Sequence, residues 1–433
     1  MFYGWKIVGV AFVTHFVSAG FIIYSYGVFL KALAEEFEGS RLEVSLGLLL
    51  VQVLTAVFSP FLGRILDRYS IRNIMCLGVV AMATGLVAAS RVSSLMQFYI
   101  VVGSLIGLGS AMTGQLPSMT VVSNWFVRRR GTALGIATMG ISLSGAVLAP
   151  AMAMMVSLMG WRQTFVAYGF ASLLVTLPLV WLVIVKRPED MGLSPDGDMP
   201  RGSSGDDQPG RSATREVETA GHTEWTTLGM LCHPSFWAIL VATSLCFSAM
   251  SAMVTHLVPH VTDLGFSPGR AAFLLSAAAA AGVVGKMLFG WIADTLDARL
   301  AFWLAILCQM CGMATIQIVD TYLGLAATAA VFGLGMGGIV PLSASLVGQI
   351  FGRYSFGRAL GLMSPFMLPI QCLGAPFAGF IYDCTGNYFL AFKVYIGLLA
   401  LAAGALLLLG LSAPRSDTLG SAACDAARRS PAG

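Results

Sequence analysis

The chain has 433 residues, of which 57% are hydrophobic and 11% charged, with a formal net charge of +4. A soluble domain carries about 25% charged residues, so this chain has too few polar groups to coat a water-facing surface and a bilayer must be its solvent. The positive charge is dispersed along the chain, which argues against the concentrated basic face of a nucleic-acid binder.

A membrane-spanning helix needs about 20 apolar residues. Six such runs occupy the first part of the chain, at 6–33, 44–65, 73–90, 96–122, 131–157 and 163–185. The first is too long and too tyrosine-rich for a cleaved signal peptide, so a retained span is expected. Residues 186–234 are polar and rich in Gly, Pro, Ser, Asp and Arg, and are expected to form a disordered linker. Six more apolar runs follow at 235–262, 271–292, 300–318, 321–350, 357–382 and 388–411, and then a polar tail. The expected organisation is all-α, with twelve transmembrane helices. An N-terminal six-helix bundle spans 1–185, a cytoplasmic linker 186–234, a C-terminal six-helix bundle 235–411 and a cytoplasmic tail 412–433.

The two halves are copies of one unit. Gly63-Arg64-Ile65-Leu66-Asp67-Arg68 returns as Gly290-Trp291-Ile292-Ala293-Asp294-Thr295. Arg130-Gly131-Thr132-Ala133-Leu134-Gly135 returns as Phe356-Gly357-Arg358-Ala359-Leu360-Gly361, and Gly160 as Gly386. The offset is 226 or 227 positions throughout. Direct repeats of this size are a construction of secondary transporters, with the substrate site where the halves meet.

Charge placement sets the expected orientation. Loops 64–72, 123–130, 186–234, 293–299 and 351–358, with both termini, hold 18 Lys and Arg, against six on the opposite side. The positive-inside rule therefore puts both termini in the cytoplasm. Glycines and prolines within the fourth span (Gly103, Gly107, Gly109, Pro117) and the tenth (Gly333, Gly335, Gly337, Gly338, Pro341) suit close packing and bending. Cys308-x-x-Cys311 lies in an apolar helix without a histidine nearby, and reads as small buried hydrophobes rather than a metal pair. No metal or cofactor is expected.

All 21 acidic residues fall in loops, tails or span ends, and Lys286 is the one Lys or Arg in a span interior. It lies eight residues before Asp294, about 12 Å along the helix. A central lysine costs roughly 2.5–3.5 kcal/mol even on an insertion scale. It therefore either faces a watery cavity and binds an anion, or snorkels to the interface. His256 and His260 share a helix face, and histidine exchanges protons near neutral pH. His15, in the middle of the first span, is a further proton-site candidate.

Twelve spans in two direct repeats, each with G-x-x-x-D after its second span, resemble the major facilitator superfamily. Gly63, Asp67, Arg68 and Arg72 carry the loop motif, and Gly290, Asp294 and Arg299 its second copy. The resemblance implies a cytoplasmic gate in which Asp67 pairs with Arg128, Arg129 or Arg130. A narrower resemblance is to the monocarboxylate transporters and the oxalate/formate exchangers. It rests on Gly4-Trp5-Lys6-Ile7-Val8, Tyr26-Gly27-Val28-Phe29, Trp125-Phe126, His256-Leu257-Val258-Pro259-His260 and Gly285-Lys286-Met287-Leu288-Phe289-Gly290. It implies that Lys286 grips the substrate carboxylate and that His256 lies near it. Cavity-lining helices one, four, seven and ten nominate Tyr24, Tyr26, Thr113, Gln115, Ser343 and Ser345 as further contacts. One buried cation favours a monocarboxylate over a dianion.

The expected function is alternating-access transport of a small monocarboxylate by a monomer in the inner or plasma membrane. It is not enzymatic, since the spans hold no catalytic constellation. Proton coupling would run through Lys286, His256 or His15. Exchange of organic anions, and efflux of an unrelated molecule on the same fold, are the alternatives.

Overall fold

The structure is a computed structural model and describes residues 2–19, 21–22, 26–38, 41–197 and 225–411. These residues form helices and connecting turns, with no strand among them. Ten helices are long and apolar enough to cross a bilayer, and two shorter apolar helices, Gly4–Ala19 and Phe389–Ala405, accompany them.

The first apolar run is divided into α1 (Gly4–Ala19) and α2 (Tyr26–Glu36). Then follow α3 (Arg41–Arg68) and α4 (Ile71–Ala89). The fourth run is also broken. It comprises α5 (Leu95–Val101), a π-helical turn at Val102–Ile106, α6 (Gly107–Thr113) and α7 (Gln115–Trp125). The cause is local. Pro117 has no N–H to offer the Thr113 carbonyl, and the Ser118 hydroxyl donates to that carbonyl instead, at 3.3 Å.

Helix α8 (Arg130–Val183) has 54 residues. A straight helix of that length would run roughly 80 Å, against about 30 Å of hydrocarbon. Gly160, at φ 80° and ψ 165°, divides it into two helices. Its repeat partner Gly386, at φ 73°, makes the corresponding break between α14 and α15. Both need the left-handed region that glycine enters without a Cβ penalty.

The second half holds α9 (Thr227–Cys232), α10 (Pro234–Asp263), α11 (Pro268–Thr295), α12 (Ala298–Thr315), α13 (Tyr322–Phe351), α14 (Phe356–Thr385), α15 (Phe389–Ala405) and α16 (Leu408–Leu411). Of the expected linker, 186–197 and 225–234 have defined contacts, described below; 198–224 and the tail 412–433 lie outside the described residues.

The halves meet through glycines four residues apart, which let helix backbones approach in lipid. Gly131 and Gly135 of α8 receive the Gly290 and Lys286 carbonyls of α11. Gly357 and Gly361 of α14 receive the Gly63 and Ser59 carbonyls of α3 in the same way. The seam is therefore a pseudo-twofold pair of crossings. Leu158, Leu174, Leu182 and Leu323 are each more than 70% exposed, as expected of a surface solvated by lipid rather than water.

Candidate functional site

Each crossing ends in a carboxylate on a helix N-terminus. Asp67 accepts from the Gly357 and Arg358 backbone N–H groups at 3.2 and 3.0 Å. Asp294 accepts from the Gly131 and Thr132 N–H groups at 2.6 and 2.7 Å. The first turn of a helix leaves N–H groups without intrahelical partners and carries the positive end of the dipole. Charge-assisted bonds to it are strong. Both carboxylates reach across to the other half, so both latches hold this face closed.

This differs from the pairing expected for Asp67. Its partners are the N-terminus of α14 and the Arg358 guanidinium at 3.9 Å, not Arg128, Arg129 or Arg130. Asp196 takes up the backbone ahead of α8, accepting from the N–H groups of Val127, Arg128 and Arg129 at 3.0, 2.9 and 3.3 Å. The Arg130 guanidinium is buried and donates to the Phe126 and Ser123 carbonyls. Arg68 is exposed. The Arg72 Nε donates to the Ile184 carbonyl at 2.6 Å, and the Arg299 N–H donates to Asp297 at 2.7 Å.

The Asp67 latch is reinforced by chain leaving α8. The Lys186 Nζ donates to the Asp67 carbonyl at 2.7 Å. Burial holds its ammonium below the usual lysine range; Arg187 adds to this, while Asp67 and Asp190 oppose it. Arg187 lies over the Tyr354 ring at 4.4 Å, and Glu189 pairs with Arg353 at 2.5 Å. The latter two contacts cross between the halves. On the other stub, the Trp225 N–H donates to the Ser355 hydroxyl at 3.0 Å, and Arg358 donates to the Trp225 carbonyl. Sequence reasoning assigned none of this. Asp196, Glu189 and Arg187 sit in a polar stretch with no periodic signal.

Lys286 lies on α11 at the level where that helix crosses α8. Its side chain is buried, and its Nζ donates to the Ser142 hydroxyl of α8 at 2.5 Å. It forms no ion pair among the described residues. An ammonium has three donors, and one hydroxyl leaves two of them for another acceptor. Burying a cation is costly without an anion or further hydrogen bonds. The bonds of Asp67, Asp294 and Lys286 described above join the halves at Lys286 and on its latch side. Ser142 escaped the sequence reading because a lone serine in an apolar run carries no spacing signal.

His15 is buried on α1. Its Nδ1 bonds the Ala11 carbonyl at 2.8 Å, while Nε2 has no partner among the described residues. Lys286 is close enough to act on it electrostatically. Gly140 of α8 packs on the Phe12 carbonyl of the same stretch of α1, so α8 is flanked by both helices.

The structure does not bring the other nominated residues to Lys286. His256 Nε2 bonds the Ala375 carbonyl at 2.9 Å and Nδ1 the Tyr388 hydroxyl at 3.2 Å, both within the second half. A carbonyl only accepts, so Nε2 is the donor. His260 is buried against Tyr388 and Phe392. The Tyr26 hydroxyl donates to the Val44 carbonyl, Thr113 to Gly109 and Ser343 to Val340. Gln115 is exposed beside the Gly114 break. Ser345 faces the cavity beside the Asp294 latch. Tyr24 lies outside the described residues.

Comparison with known proteins fits this architecture. The Major Facilitator Superfamily model matches residues 10–367. The chain belongs to the major facilitator superfamily. Monocarboxylate transporter 13 of Rattus norvegicus is 28% identical over 410 residues, covering 94% of this chain and 89% of the relative. Monocarboxylate transporter 2 of Homo sapiens is 25% identical over 412 residues, covering 94% and 85%. Among solved structures, the proton:xylose symporter XylE with bound 6-bromo-6-deoxy-D-glucose superposes with a TM-score of 0.72 at 15% identity, covering 95% of this chain and 96% of the other. The human organic anion transporter MFSD10 gives a TM-score of 0.68 at 14% identity, covering 94% and 100%. The chain is thus a multi-pass membrane transporter for a small solute, not an enzyme.

Proposed function

We propose that this transporter moves a small monocarboxylate, of the lactate or pyruvate kind, across the cell membrane by alternating access with proton symport. The observation that carries the reading is Lys286, a buried ammonium bonded across the seam to Ser142. A carboxylate there would take up its two spare donors and neutralise its charge. It would also compete with Ser142 for the ammonium, and so act on a bond that joins the halves. Binding would thereby be coupled to separation of α8 from α11 on the closed side, which is what a carrier requires. Similarity to monocarboxylate transporters supports the substrate class.

Proton coupling is assigned to Lys286 with His15, whose Nε2 is free to take a proton at the same level of the seam. His256 is less suited, because both its ring nitrogens are engaged. The face that carries the latches, the linker and the larger share of basic residues is assigned to the cytoplasm.

The test is uptake of labelled monocarboxylates by liposomes containing wild type or Lys286→Ala, with and without an inward proton gradient. Saturable uptake in wild type that is lost in the variant supports the reading. Equal uptake by both proteins would remove Lys286 from the site. Uptake indifferent to the gradient, with intact counterflow, would replace symport by anion exchange.

A further inference from the structure

The two latches share their carboxylate geometry but not their surroundings. Beside Asp67, chain segment 184–190 fills the groove between the halves. It puts a carbonyl on Arg72 at 2.6 Å and a carboxylate on Arg353 at 2.5 Å. Beside Asp294 the corresponding groove is a cavity of about 310 Å³. Its walls come from both halves: Val127, Arg128 and Arg130 from the first, with Asp294, Arg299 and Gln349 among those of the second. Asp297 also lines it.

Both aspartates are already committed. Asp294 holds the N-terminus of α8, and Asp297 caps α12 through the Arg299 N–H. Asp196, nearby, is taken up by the N–H groups of 127–129. Arg299 is the repeat partner of Arg72, yet no acceptor meets its guanidinium among the described residues. Arg130, 5% exposed, donates to two carbonyls, with Asp196 and Asp294 close enough to act on its charge. The filled groove supplies acceptor oxygen to Arg72 and Arg353, whereas the Arg299 guanidinium in the open groove meets none among the described residues.

We propose that the open groove is a regulatory anion site. It takes a small solute or headgroup bearing phosphate or carboxylate oxygens, held between Arg130 and Arg299. Arginine's planar fork matches such oxygens in pairs. Because the walls belong to both halves, a bound anion holds the Asp294 latch shut and slows opening of this face. The site is separate from Lys286 and does not depend on which solute is carried.

The test uses the full-length protein in phosphatidylcholine nanodiscs, titrated with inorganic phosphate at ionic strength fixed by chloride. Melting temperature is followed, together with the distance between spin labels at Tyr69→Cys and Leu296→Cys in a cysteine-free background. Phosphate should raise the melting temperature of wild type and sharpen the short-distance population. Arg299→Gln should lose both responses while keeping the wild-type distance without phosphate. Nanodiscs containing phosphatidylglycerol separate a lipid source from a free one: a response to that lipid alone identifies a headgroup in the same site. Equal responses in wild type and Arg299→Gln would mean an adventitious ion only and overturn the proposal. So would no response to either source. A phosphate response that appears only after removal of 412–433 would identify the tail as the occupant and also overturn it.

Discussion

Asp67 and Asp294 perform the same act, each clasping the first turn of a helix from the opposite half. Their surroundings differ. Asp67 is reinforced by Arg358, by Lys186 and by the Glu189–Arg353 pair, whereas Asp294 borders open volume. Duplication has given the molecule two equal clasps, and later divergence has made one a strut and the other a candidate switch. Closure should therefore rest more heavily on the Asp67 side.

The largest effects should be equal on the two sides, because the backbone crossings are alike. A Cβ at Gly290 would stand 2.5 Å from the Gly131 carbonyl, and one at Gly63 would collide with the Gly357 carbonyl. Gly63→Val and Gly290→Val should each prevent closure and abolish turnover, with the 69/296 spin-label distance shifted to long values. A variant that closes normally would show that closure does not depend on the close backbone crossing.

Removing the clasps should separate the two sides. Bonds to a charged group are worth about 1.5–3 kcal/mol each. Asp67→Ala removes two of them, about 3–6 kcal/mol together, and should thus lower the closed-to-open ratio by more than about 100-fold, as read from the same label pair. Asp294→Ala should act in the same direction but less, since its carboxylate is less buried and has no ion pair at salt-bridge distance among the described residues. A larger effect at Asp294 would reverse the comparison.

The smallest effect belongs to the linker stub. Glu189 and Arg353 are partly exposed, and such pairs contribute about 0.2–1 kcal/mol. Glu189→Gln should reduce the closed population by at most about fivefold at low salt and by less at high salt. A loss as large as that of Asp67→Ala would make the stub, not the clasp, the main fastening on that side.

Much of the fold was legible because lipid imposes a simple rule. Apolar runs of spanning length revealed the helices, and the 226- to 227-residue offset revealed the doubling. Gly160 and Gly386, matched in the sequence only as repeat partners, lie between expected spans, and the structure turns at both. What the sequence obscured were breaks inside spans, such as the π turn at Val102–Ile106, where hydropathy stays high while the backbone changes. The latch motif pointed to Asp67 but not to its partners. Carboxylates here bind backbone N–H groups, which every residue but proline possesses, so no side-chain pattern announces them. Lys286 stood out because a lone cation in an apolar run is costly; Ser142 and the stub residues did not.

Lys286 has consequences for how the transporter responds to voltage. Its repeat partner is Ser59, so the pseudo-twofold scaffold carries its buried cation on one side only, without a carboxylate paired to it among the described residues. An unloaded centre of that kind is electrically charged, and one charge moved through a full 100 mV drop changes energy by about 2.3 kcal/mol. On the proposed reading, binding a monocarboxylate would cancel the charge. The loaded protein would then cross almost blind to the membrane potential, as would an empty one that has released its proton, while an empty, still-protonated one would feel it.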